Sequence, residues 1–340
     1  MKKCIIIPYF GKFPNTIEAF ISSCKNNPEF DWLIFTDDEI EKVPQNVTIV
    51  NTSLYEIKKL IEDKLGEKIN LNAPYKLCDY RPAFGVVFEE YLFDYDFGGY
   101  GDIDLIYGKL SNFITEKILE KYDKIYPCGH LSLIRNEKKY NNAFREQVEG
   151  TWDYRQVFSN SKSFIFDEYQ GINEKILAIG GRVYSSFDFA DVDVIYKRFR
   201  TADKLTFSKV FPKYLFKDNL PRNYKKQLFL VEDGHTFRIF IKNNKIERTE
   251  VAYIHYRYKI ESFLKSGKSD RYLITNQGLL ECEESITEAT FEEFNKYEGY
   301  FYESKEFLRF YKNHLITKLG KNKRLRNFIR SLKGKEKINE

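Results

Sequence analysis

The order of apolar segments predicts an α/β fold: a mostly parallel central sheet with flanking helices, then a late β-meander and a helical, basic C-terminal tail. Three observations carry this. Lys3–Ile7 (KCIII) is an apolar run ended by Pro8, helical spacing follows at Ile17, Phe20, Ile21 and Cys24, and Trp32–Thr36 is apolar again. Strand, helix, strand in that order requires a crossover, which gives parallel neighbours. From Gln227 to Lys259 the pattern instead alternates, with turn dipeptides at Asp233-Gly234 and Asn243-Asn244. Finally, Lys318–Glu340 sets nine basic residues against two acidic ones, a net +7 against +5 for the whole chain.

Taken in order, Asn15 or Thr16 caps the first helix. Val47–Val50 is a third strand, and Leu54, Ile57, Leu60, Ile61 and Leu65 mark a helix stopped by Gly66. In parallel sheets ligands lie at the carboxyl ends of strands, which nominates Pro8, Tyr9, Thr36 and Asp37 as the floor of a site; residues that merely end strands read the same way. Pro82 suits a first helical turn, and Phe84, Val87, Phe88, Tyr91 and Tyr95 continue it at helical spacing, so Lys76, Asp79 and Arg81 gather at its start. A surface ion pair is the alternative for these three.

The chain is organised around Phe97–Gly108 (FGGYGDIDLIYG). Asp102 and Asp104 sit one residue apart where a glycine-rich turn enters a buried strand, so both carboxylates share one side and Ile103 turns inward. Two like charges held together call for a hard divalent cation, Mn2+ or Mg2+, which also accepts two diphosphate oxygens. Gly98, Gly99 and Gly101 let backbone approach a ligand.

Lys76–Gly108 resembles the signature of nucleotide-sugar-dependent glycosyltransferases with the GT-A (Rossmann-like) fold, above all the glycosyltransferase toxins and related bacterial sugar transferases. Asp79, Arg81, Gly98, Gly99, Tyr100, Asp102 and Asp104 carry the likeness. Arg81 follows Asp79 by two residues where the family has three, and one residue is missing between the glycine pair and Tyr100. Residues 1 to 260 are also similar to uncharacterised glycosyltransferase-like proteins encoded with bacterial capsule and surface-polysaccharide genes. The resemblance implies a catalytic domain over 1–260, with 136–165 and 185–225 as insertions or acceptor-side elements. A helical extension over 261–316 and a basic amphipathic tail over 317–340 complete the chain. Lys76, Asp79 and Arg81 would then hold sugar hydroxyls and phosphate.

Beyond the motif, Phe113–Tyr122 reads as a helix and Lys124–Ile134 as a strand broken at Cys128 and Gly129. In the family this place lies beside donor sugar and acceptor, so His130 contacts either; a satisfied core histidine is the alternative. Asn136–Ser163 reads as a long loop or broken helix suited to acceptor selection. Phe166–Leu177 is similar to an acidic, acceptor-side helix of the family, and makes Asp167 and Glu168 candidates for general base or acceptor-orienting groups; acidic residues in a first turn also simply complement a helix dipole. The meander reads as three strands, the last ending at His255. The family brings a late histidine back to the metal and a basic residue to the diphosphate, positions that His255 and Lys259 fit.

The implied function is transfer of a sugar from a nucleoside diphosphate sugar, in the first place a UDP-sugar, to a glycan or lipid-linked acceptor. A sugar-nucleotide nucleotidyltransferase is the alternative enzyme, and a glycan-binding protein with a decayed site the non-catalytic one. The core's charge is slightly acidic once the tail is removed, which argues against a nucleic-acid partner. No apolar run reaches 18 residues, no secretory leader opens the chain, and five scattered cysteines fit reduced thiols; a cytoplasmic protein, peripheral at an anionic membrane through its tail, is the expectation.

Overall fold

The computed structural model describes residues 1–192, 201, 227–257, 270–275, 278–282 and 285–294. All of these fall in one unit, Met1–Asp193 with Arg198–Tyr297; a second unit, Val194–Lys197 with Glu298–Glu340, lies outside them. Lys259, most of 185–225 and the 317–340 tail therefore also lie outside the described residues.

The first sheet is built from β1 (Lys3–Pro8), β2 (Phe30–Thr36), β3 (Val47–Asn51), β4 (Phe97–Gly101), β6 (Lys124–Ile125), β7 (Leu131–Arg135) and β8 (Val183–Tyr184), while β5 (Leu105–Tyr107) belongs to a separate three-stranded sheet. Its order is β3-β2-β1-β4-β7-β6-β8. The first four are parallel, β7 runs antiparallel to β4 and to β6, and β8 is parallel to β6. This is the mixed α/β fold with a parallel central sheet and flanking helices that the apolar pattern predicts.

Cys4–Ile7 of β1 are apolar and buried, so both faces of the strand are covered. Ile5 and Ile7 pack with Trp32, Ile34 and with Phe20, Ile21 and Cys24 of α1 (Ile17–Lys25). Cys4 and Ile6 face the other layer, with Leu33, Phe35 and Ile57, Ile61 and Leu65 of α2 (Leu54–Leu65). Local chemistry fixes the bounds of α2: Ser53 and Glu56 make a reciprocal capping box, and Gly66 takes the left-handed conformation at φ 70°.

Several expected elements differ. Pro82–Tyr95 is not one helix: Pro74–Ala83 is a 3-10 helix, α3 spans only Phe84–Val87, and separate turns follow. Gly85 and the valine pair are poor helix formers, and the buried rings of Phe84 and Phe88 are satisfied by packing on Phe35 and Tyr100. The predicted strand over Lys124–Ile134 is a hairpin, reversed where Tyr126 takes φ 59°. In the meander, β10 (Gln227–Glu232), β11 (His235–Lys242) and β12 (Lys245–Val251) pair as expected, but β13 (Tyr253–His255) leaves them. Ala252 is the divergence: its N–H donates to the Asp188 carbonyl at 2.6 Å and its carbonyl accepts from Gly108 at 2.9 Å. β13 then pairs antiparallel with β5 and parallel with β9 (Ala190–Asp191).

The extension from 261 is not helical throughout. β14 (Arg271–Thr275) pairs with β10 and β15 (Gly278–Glu281) with β14, giving the five-stranded order β12-β11-β10-β14-β15, and among the described residues of the extension the helix is Glu288–Phe294. Alternation explains it, since Leu228, Leu230, Ile239 and Leu273 bury one face of that sheet under Phe291.

Candidate active site

Asp102 and Asp104 do not lie within a strand. They occupy the link between β4, in the first sheet, and β5, in the three-stranded β5-β13-β9 sheet, so the change of sheet rather than strand alternation sets the two carboxylates. Ile103 between them is buried as expected. Backbone bonds fix both ends: Asp102 N–H donates to the His130 carbonyl at 3.0 Å, and Tyr256 N–H donates to the Asp104 carbonyl at 3.1 Å. Packing alone requires two of the preceding glycines, because a Cβ on Gly99 would collide with the Ser132 carbonyl and one on Gly98 would lie 2.7 Å from Leu92.

β13 returns His255 to this link. Its Nε2 lies 3.4 Å from Asp104 Oδ1 and 4.0 Å from Asp102 Oδ2. One ligand atom from each of the three falls within 4.8 Å of the others, a spacing a divalent cation can bridge. The chemistry of the donor set fits: two carboxylates and an imidazole, with Asp104 Oδ1 buried and without a hydrogen bond. Burial opposes charge on His255, but the Asp104 and Asp191 carboxylates together outweigh it and hold the imidazolium up to about 9.

A second layer of charge surrounds the trio. Arg81 pairs with Asp102, donates to Asp167 Oδ2 at 3.0 Å and to the Gly129 carbonyl at 3.0 Å. Burial would raise the Asp102 carboxyl, but the Arg81 guanidinium brings it below its ordinary value. Asp167 is different: burial dominates and pushes its carboxyl up to about 8 despite Arg81, leaving Oδ1 without a partner. Glu168 is likewise raised by burial, and accepts from Gly129 N–H at 2.5 Å. Neither stands in a helical first turn, since the nearby helix is Ile172–Ala178 and both precede it.

His130 is buried with its ring 4.6 Å from that of His255; Nδ1 lies 3.0 Å from the Tyr253 hydroxyl, and Nε2 has no partner. Burial drives its pKa down to about 3, so it is neutral. Pro8 and Thr36 end β1 and β2 and Tyr9 and Asp37 follow them, on the sheet edge where β4 delivers Asp102. Burial and then the nearby Asp104 charge raise the Tyr9 phenol. Asp37 accepts from Gly11 N–H at 2.8 Å, and Thr36 Oγ1 from Asp38 N–H at 3.1 Å, so these groups brace the loop after Pro8.

Lys76 and Asp79 are not brought into the trio. They form a buried pair at 2.7 Å, where Lys76 also donates to the Val157 and Lys162 carbonyls and Asp79 accepts from Phe164 and Phe166 N–H. That knot fixes the segment presenting Asp167. Two residues went unassigned in the sequence reading: Asp191, buried in β9, and Arg257, which forks onto it. An acidic residue inside the apolar run Phe189–Val192 was the available signal for the first.

Two solved structures are similar in part. One is the galactosyltransferase LgtC in complex with donor and acceptor sugar analogues, at 14% identity over 56% of this chain and 75% of that one, with a TM-score of 0.32. The other is an active-site mutant of LgtC, at 13% identity over 75% and 87%, with a TM-score of 0.36. No curated protein matches the sequence. A family model matches residues 5–283, and the chain belongs to that family of unknown function, DUF6625.

Proposed function

We propose that this protein is a divalent-metal-dependent glycosyltransferase that moves a sugar from a nucleoside diphosphate sugar to a hydroxyl of a glycan or lipid-linked acceptor. The observation that carries it is the convergence of Asp102, Asp104 and His255 within 4.8 Å at the carboxyl edge of a parallel sheet. The likeness of Lys76–Gly108 to the GT-A signature gives that trio its donor class, with UDP-sugars first among them.

Asp102, Asp104 and His255 would hold Mn2+ or Mg2+. Such an ion, when bound, neutralises the negative charge that develops on a departing diphosphate. Arg81 keeps Asp102 ionised and fixes its direction, while Lys259, outside the described residues, is a further cation for the diphosphate. His130 offers its neutral Nε2 to an oxygen of donor or acceptor. Asp167, poised at about 8, and Glu168 supply a base for the acceptor hydroxyl if the anomeric centre inverts; with retention, the leaving phosphate takes that proton. Pro8, Tyr9, Thr36 and Asp37 form the floor beneath the nucleotide. We place the enzyme in bacterial surface-polysaccharide synthesis, in the cytoplasm, with the 317–340 tail on an anionic membrane. No helix among the described residues is long and apolar enough to cross one.

Calorimetric titration with UDP and UDP-sugars tests the reading. Binding that requires Mn2+ and is lost on Asp104→Asn is expected. Glycan binding indifferent to metal, or turnover of a nucleoside triphosphate with pyrophosphate release, would replace it.

A further inference from the structure

A histidine binds a cation through the ring nitrogen that carries no proton, and the partner of the other nitrogen decides which one that is. In His255 the decision falls to Asp191. Its carboxylate only accepts, so the 2.9 Å contact from His255 Nδ1 to Asp191 Oδ1 places the proton on Nδ1. Nε2 is the nitrogen that faces Asp102 and Asp104.

Asp191 is itself held from several sides. Arg257 donates from Nε to Oδ1 at 2.6 Å and from Nη2 to Oδ2, a fork that uses both oxygens. The β9–β13 register sets Asp191 opposite His255, and Val192 N–H donates to the His255 carbonyl at 2.9 Å. Arg257 sits at φ 55°, a conformation that a non-glycine residue keeps only where its surroundings over-determine it. The His130 ring, 4.6 Å away, packs beside the imidazole that Asp191 directs.

We propose that Asp191 is a positioning residue: by accepting the Nδ1 proton of His255 it aims the Nε2 lone pair at Asp102 and Asp104, and so sets the cation affinity of the trio. The inference rests on the metal reading of that trio and adds a residue outside it. Arg257 completes the device, because it immobilises the carboxylate and balances its charge.

The test uses the full chain as wild type, His255→Gln and Asp191→Asn. Mn2+ affinity is read from the electron paramagnetic resonance of free Mn2+, and the protonated nitrogen of His255 from 15N histidine spectra of wild type with saturating Mg2+. Asp191→Asn, folded by circular dichroism, should bind Mn2+ about 10- to 100-fold more weakly than wild type. Wild type should show the proton on Nδ1. Unchanged Mn2+ affinity in Asp191→Asn overturns the inference alone, and so does a wild-type proton on Nε2, which decides the matter if the variant fails to fold. Equal affinity in His255→Gln and wild type overturns the metal reading, and the inference with it.

Discussion

If Asp102, Asp104 and His255 hold a cation as proposed, its binding depends on pH through His255. Its imidazole is buried, which disfavours charge, but the Asp104 and Asp191 carboxylates together prevail and the metal-free ring holds its proton up to about 9. A cation binds only the deprotonated nitrogen, so below that value it must displace a proton. At pH 7 roughly 1% of the rings are neutral, a handicap of about 100-fold, or about 2.7 kcal/mol, relative to pH 9 and above. Asp102, which Arg81 holds below the ordinary carboxylate value, remains ionised throughout and adds no slope. The perturbation is therefore pH alone, from 6 to 9.5, with Mn2+ affinity measured by titration under argon. Wild type should gain about tenfold in affinity per pH unit up to about 9 and then level off. His255→Gln should bind weakly with no such slope. A flat wild-type profile over that range would refute the assignment of His255 as a ligand.

Other substitutions probe the supporting structure. Arg81→Met removes the guanidinium that bridges Asp102 and Asp167 and leaves Asp102 only His255 as a cationic neighbour; urea unfolding at pH 7 should show a loss of about 3 kcal/mol, at the low end for a broken buried pair because Asp102 keeps some exposure, and the loss should shrink as falling pH protonates Asp102. Lys124 is buried with no carboxylate partner among the described residues, and burial brings its pKa down to about 7 from a usual value above 10. That penalty is fully present below pH 7 and fades as pH rises toward 10. Lys124→Met should therefore raise stability at pH 6 by on the order of 3 kcal/mol in urea titrations and flatten its dependence from pH 7 to 10. Gly99→Ala drives a methyl into the Ser132 carbonyl and should cost about 1–3 kcal/mol by the same assay, whereas Gly11, with open space around it, is limited only by its φ of 96°.

What was legible in the sequence is what local chemistry decides. β1 announces itself as a strand buried on both faces, and α2 carries its own start and stop in Ser53, Glu56 and Gly66. Asp102 and Asp104 stood out as a motif, and His255 was nominated by the family resemblance rather than by its place at the end of an alternating run. Their geometry was not legible, because it depends on the chain leaving one sheet at Asp102 and on Ala252 releasing β13 from the meander. Both events are long-range backbone bonds with no local mark. The same holds for Asp191, whose role arises only when β9 pairs with β13. The dissolved helix over Pro82–Tyr95 shows the converse: correct apolar spacing, with packing rather than continuous hydrogen bonding determining how the chain turns.

The most direct measurement of the central claim is UDP release from a panel of UDP-sugars by the purified chain, with Mn2+ or with EDTA, comparing wild type and Asp104→Asn. Release that needs Mn2+ and disappears in Asp104→Asn is the expected result. Release that persists equally in EDTA, or survives intact in the variant, would contradict a metal-dependent transfer site at Asp102, Asp104 and His255.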